Sequence, residues 1–229
     1  MKEIKYYTAI GCMSSRQEKN GEKHLTVIAN HKEYVLDYQE AAVWIALAWK
    51  LLSMDKLEYA YDQLMYMQHA PKRSLEFCLE RMESRGLIAV GSGTTVYDAF
   101  YDMMSTLYVV PIRVLYPMRI IGFLRMAFNG VSLKTAAAMV RRDNRSHMES
   151  TIMNLCKQNL LATAEIIKCV ESGVQDISTD DKLMDVLFDD ESATSDNLIF
   201  AMRESPYMIP VVMSISNLLL RKQIFFDRQ

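Results

Sequence analysis

The sequence predicts a mainly α protein with small β-hairpins, an α+β fold. Three observations predict it. The 229 residues include only 8 Gly and 5 Pro, few for a sheet-rich chain with many tight turns. Met is abundant, at 17, and Met favours helices and fills irregular cores. Apolar residues recur at helical spacing behind residues that cap helices. Half of the chain is hydrophobic, enough for a sizeable core.

The elements follow in order. Residues 4–10, IKYYTAI, are β-branched and aromatic and read as a strand. The polar stretch GCMSSRQEKNGEK reads as a loop, and HLTVIA, NHKE and YVL as a strand, a turn and a strand. Asp37 and Glu40 have the three-residue spacing of a capping box. The helix YQEAAVWIALAWKLL follows, with Val43, Leu47 and Leu51 one turn apart. Ser53 is placed to cap a second helix, MDKLEYAYDQLMYM, with Asp55 in its first turn. Pro71 suits the start of a third, PKRSLEFCLERMESR, whose stripe is Leu75, Cys78, Leu79 and Met82. Gly86 ends that helix in the left-handed conformation glycine permits. LIAV then reads as a strand, GSG as a turn, and TTVY as a returning partner.

That order across residues 38–97, and the stretch LERMESRGLIAV above all, resembles a winged helix-turn-helix domain. The hairpin leading into YVLDYQEAAVW is also similar to the small winged-helix modules that serve peptide-modifying enzymes. The second resemblance implies a leader peptide held beside the hairpin's edge strand. Residues 1–97 are expected to form this first unit.

A second winged-helix-like unit is expected over residues 98–170. SLEFCLERMESRGLIAV and HMESTIMNLCKQNLLAT align at an offset of 73, pairing Leu75 with Met148, Leu79 with Ile152, Met82 with Leu155 and Gly86 with Asn159. PMRIIGFLRMAFN reads as a helix, Ser132 caps LKTAAAMV, and Ser146 with Glu149 forms another capping box. DAFYDMMSTL reads as a linking helix and YVVPIRV as an edge strand, because Pro111 cannot donate to a ladder. Residues 171–229 are expected to form a C-terminal helical segment. In it TDDKLMDVLF, SDNLIFAM and a final stretch from Tyr207 to Lys222 read as helices.

Catalytic chemistry is not written in the chain. It holds no GxGxxG, GxxxxGK[ST], HExxH or GxSxG. The histidines His24, His31, His69 and His147 are scattered singly. Cys12, Cys78, Cys156 and Cys169 form no CxxC pair and are expected to be reduced thiols. The expectation is therefore no enzyme, no cofactor and no metal. MKEIKYYTAIGCM lacks the apolar run of a signal peptide, and the longest uncharged run, Ser205 to Leu220, contains two prolines. The protein is expected in the cytoplasm, without a membrane partner.

Charge is segregated. Residues 1–110 carry net −2, residues 111–170 net +6, residues 171–204 net −8, and the last 25 residues net +2. A basic middle of this kind suits a polyanion, or pairs with the acidic segment. The winged-helix resemblance implies a DNA contact at the turn before a third helix, where the sequence MVRRDNRSHMES stands. Arg141, Arg142 and Arg145 are then the phosphate anchors. Ser146 and His147 begin the helix, and Lys134 reaches the backbone from the preceding one. In the first unit the matching place holds Lys72, Arg73 and Ser74, but Glu76, Glu80 and Glu83 make its helix a poorer DNA reader. The leading expectation is a sequence-specific transcriptional regulator on double-stranded DNA, with a homodimer as a further possibility. The alternative is a protein- or peptide-binding winged-helix adaptor that works through the N-terminal hairpin or the acidic segment.

Overall fold

The computed structural model describes residues 3–17, 23–66, 73–112, 145–188 and 194–228. Strand β1 (Ile4–Ala9) leads into β2 (Cys12–Gln17) through Gly11. β2, β3 (Lys23–Ala29) and β4 (Lys32–Val35) form an antiparallel meander in the order β2–β3–β4. Asn30 and His31 join β3 to β4 with φ of 48° and 55°, the double positive φ that matches the right-handed twist of a two-residue hairpin. The stretch expected as a polar loop after residue 10 thus begins with strand β2. The strand sequence, CMSSRQ, carries no apolar–polar alternation that would mark it.

Helix α1 (Tyr38–Leu47) starts at the expected capping box. Asp37 accepts from the amides of Gln39 and Glu40, and the Glu40 carboxylate accepts from the Asp37 amide. The short β5 (Leu52–Ser53) then precedes α2 (Met54–Tyr66), so Ser53 sits in a strand. Helix α3 (Leu75–Ser84) is capped by the Ser74 hydroxyl, buries the expected stripe Leu75, Cys78, Leu79 and Met82, and ends at Gly86 with φ of 71°.

The next element departs from the expected wing. β6 (Ile88–Gly93) takes in the GSG stretch and pairs with β1, giving the sheet order β5–β1–β6. TTVY does not return as a strand. Thr95 caps α4 (Val96–Met104) in a capping box with Asp98. α4 lies directly on β6: a Cβ on Gly91 would stand 2.3 Å from the Ala99 carbonyl oxygen and 2.5 Å from the Met103 amide nitrogen. The glycine is there for close helix–strand approach, not for a turn.

β7 (Tyr108–Pro111) pairs with β8 (Ile224–Asp227), a strand that sequence periodicity did not mark. Between them come α5 (His147–Gln158), α6 (Thr163–Glu171), α7 (Asp180–Leu187), α8 (Ser195–Arg203) and α9 (Met208–Leu220). The expected linking, acidic-segment and final helices are therefore present. The helices expected over PMRIIGFLRMAFN and LKTAAAMV, and the start at Pro71, lie outside the described residues. No single helix among the described residues is long and apolar enough to cross a membrane.

Among the described residues, local features of the first half (4–104) recur in the second (107–228), but not at the offset of 73. Asn159 has φ of −144°, so it is no counterpart of left-handed Gly86. Instead α5 shares its surroundings with α1. Each begins with a capping box, Asp37–Glu40 and Ser146–Glu149, whose glutamate is buried. In the first half Arg85 and left-handed Gly86 lead into β6, and the Ile10 amide donates to the Leu87 carbonyl. In the second Arg221 and left-handed Lys222 (φ 57°) lead into β8, and the Ile112 amide donates to the Gln223 carbonyl. β5 flanks β1, and a single bridge at Ala162 flanks Tyr108 of β7. Two amphipathic helices share apolar spacing whatever their place in a fold, which is why the sequence alignment chose the wrong partner.

One buried cluster runs through both halves, from Ile10, Trp44 and Tyr61 to Tyr101, Ile166, Val212 and Phe226. The halves are also tied by backbone: the Gly11 amide donates to the Phe226 carbonyl at 2.7 Å, and the Asn30 amide to the Asp227 carboxylate at 2.8 Å.

Candidate functional site

The outer edge of β4 and the flank of α3 form the most organised surface among the described residues. β4 pairs with β3 on one side only, and no strand among the described residues pairs with its other side. The Leu36 amide donates to the Leu25 carbonyl. Antiparallel alternation from that bond turns the backbone groups of Glu33 and Val35 outward. Val35 is 60% exposed, and Tyr38 and Phe77 are also exposed.

Three arginines line the same place around two carboxylates. Arg73 Nη1 reaches Asp37 at 2.7 Å, and Arg81 Nη1 lies 3.6 Å from the same group. Glu40, 1% exposed, receives Arg81 Nε at 3.0 Å and Arg85 Nη1 at 2.9 Å. Arg85 also donates to the Val35 carbonyl at 3.0 Å and lies over the Tyr34 ring at 5.4 Å. The capping box needs both carboxylates at the helix start, and burying Glu40 requires compensating donors. Burial raises the Asp37 pKa, but the Glu40 amide and Arg73 outweigh it and hold the group below its ordinary value. The three guanidinium groups are shared between these two carboxylates, and Glu33 on β4 and Glu76, Glu80 and Glu83 on α3 belong to the same two elements.

The residues expected to meet DNA divide three ways. Lys72, Lys134, Arg141 and Arg142 lie outside the described residues. Arg73 is bonded to Asp37, and its amide donates to the Gln39 side chain at 3.2 Å. The Ser74 and Ser146 hydroxyls act as helix caps, accepting from Phe77 and Glu149 amides. Arg145 Nε donates to the Gln223 side chain. His147 is exposed and borders a polar hollow of about 260 Å³ with Thr151, Asn154 and Gln175. Arg73 and Ser74 thus share the β4–α3 surface, while Arg145, Ser146 and His147 share the start of α5.

Sequence reading missed Val35 and Phe77 as surface groups. Tyr34, Val35 and Leu36 are all apolar, so the sequence carries no signal for Val35; the structure shows it exposed between half-buried Tyr34 and buried Leu36. No group of three or more His, Cys, Asp or Glu that could hold a metal occurs among the described residues.

These features define an α+β protein built from helices and small antiparallel sheets. No family model, no curated protein and no solved structure matches the chain.

Proposed function

We propose that the protein is a peptide-binding adaptor of winged-helix type, which takes an extended peptide onto the outer edge of β4 beside α3. The carrying observation is the outer β4 edge, with which no strand among the described residues pairs, flanked by exposed Val35 and Phe77 and by the arginine cluster. Strand addition gains main-chain hydrogen bonds from such an edge, and side pockets give specificity. Because Arg85 occupies the Val35 carbonyl, an added strand takes its register from the Val35 amide. The half-exposed guanidinium groups of Arg73 and Arg81 favour a peptide with an acidic side chain next to an apolar one.

The winged-helix comparison is supported by the order α1, β5, α2, α3, β6. The place of a wing's returning strand is taken by β1 in the first half and by β7 in the second. A random peptide library displayed on phage tests the function. Enrichment of acidic–apolar sequences is expected, with loss of binding when Val35→Pro removes the outward amide. Absence of enrichment, or unchanged binding by Val35→Pro, would count against it. Val27 is fully buried in the hairpin, so changes there would test folding instead.

A second reading, binding of double-stranded DNA by a transcriptional regulator, is favoured by the exposed His147 and the polar start of α5 beside Arg145. Titration with genomic duplex fragments at several salt concentrations tests it: affinity should fall steeply as salt rises.

A further inference from the structure

A cavity of about 810 Å³ opens where the two halves meet, at the C-terminal end of α5. Its volume falls in the range of small-molecule sites, which favour junctions of this kind. Trp49, Val110, Ile112, Leu160 and Phe225 contribute to its wall, and Lys157 is the charged residue on it. No carboxylate lines it among the described residues. The nearby Asp227 accepts from the Asn30 and Arg228 amides at 2.8 and 2.9 Å.

Trp49 is held there in an unusual state. Leu47 to Lys50 form a turn closed by a 2.9 Å bond, with Ala48 at φ −54°, ψ 120° and Trp49 at φ 56°. Those angles make it a type II turn, whose third position normally belongs to Gly or Asn. A tryptophan there is strained and persists only where its surroundings hold it. Its indole Nε1–H is buried without an acceptor. Lys222, itself left-handed, lies 5.3 Å from the ring centroid. The wall therefore combines apolar area with one ammonium group, that of Lys157, and Lys222 stands against the Trp49 ring.

We propose that this cavity binds a small apolar carboxylic acid. The hydrocarbon part lies against Trp49, Val110 and Phe225, and the carboxylate meets Lys157 at the mouth. The site is separate from the β4 edge and does not depend on peptide binding there.

The test uses the full chain and 1-anilinonaphthalene-8-sulfonate, an apolar anion, as a fluorescent reporter. Saturable binding is expected, with displacement by decanoate and not by decyltrimethylammonium. Lys157→Glu should weaken the reporter at least tenfold, and Val110→Trp, which fills the cavity, should abolish saturable binding. Near-ultraviolet circular dichroism checks that each variant keeps its packing. If Val110→Trp unfolds, Ile112→Phe serves the same purpose. Val35→Pro should leave reporter binding unchanged. No saturable binding to the native chain, equal displacement by the cationic detergent, or full affinity in folded Lys157→Glu would overturn the proposal.

Discussion

Arg221 donates to Glu149 at 3.0 Å, joining the residue that ends α9 to a buried carboxylate in the first turn of α5. Arg85 and Glu40 repeat the relationship in the first half at 2.9 Å. In both halves, a glutamate that closes a capping box is also the acceptor for an arginine positioned by a left-handed residue before a strand. The local helix start and the long-range strand pairing are thereby fastened to one carboxylate.

Truncating that arginine should be felt. Arg221→Ala is expected to destabilise by about 1.5 kcal/mol, the low end of the range of roughly 1.5–3 kcal/mol for a hydrogen bond to a charged group. The loss stays at the low end because Arg221 is half exposed and the Ser146 amide still donates to the same oxygen. Urea unfolding measures it, and an unchanged midpoint would show the pair contributes nothing.

Acid should weaken the first half through Asp37. Its folded pKa is depressed, so its stabilisation is present above the unfolded value, about 4, and is lost as pH falls through the folded value. Urea midpoints between about pH 6 and pH 2 should fall at the acid end. Asp37→Asn, which keeps a capping oxygen, should flatten that limb while leaving the fold intact.

Gly91→Ala is expected to destabilise by about 1–3 kcal/mol, the usual cost of overpacking. The added methyl meets α4 backbone, which cannot swing aside as a side chain would. Thermal unfolding should show a lower midpoint; an unchanged one would contradict the close approach of α4 to β6.

Thiol chemistry should separate one cysteine from the rest. Cys78, Cys156 and Cys169 are buried, and Cys12 is partly exposed. Burial pushes Cys156 up to about 12 and Cys169 up to about 11, leaving almost no thiolate at neutral pH. Iodoacetamide should modify the native chain at Cys12 alone, and slowly, since burial and then Asp227 raise its pKa as well. All four should react in urea. Mass spectrometry reads both outcomes, and rapid native labelling of Cys156 would refute the packing described.

Binding at the β4 edge should respond to charge as well as to backbone. Arg81→Glu replaces an exposed guanidinium beside Asp37 and should weaken an acidic–apolar peptide at least tenfold, a change of about 1.4 kcal/mol or more. Isothermal titration with a peptide taken from the library checks it. Equal affinity would remove the charge argument while leaving the strand edge to Val35→Pro.

Local signals were legible because they act over a few residues. The capping boxes at Asp37 and Ser146, the stripe on α3 and the left-handed Gly86 depend on neighbours within one turn, and the chain carries all of them. Half of the candidate site was legible for the same reason, since Asp37 and Glu40 declare themselves as a cap. The arginines that complete it did not, because nothing in the spacing of Arg73, Arg81 and Arg85 tells which carboxylate they reach. Only tertiary structure decided that β1 and β7 take the strand positions beside β6 and β8, and that α5 answers to α1. Those choices rest on pairings between residues as far apart as Tyr108 and Asp227. Amphipathic spacing records which face is buried and leaves open what buries it.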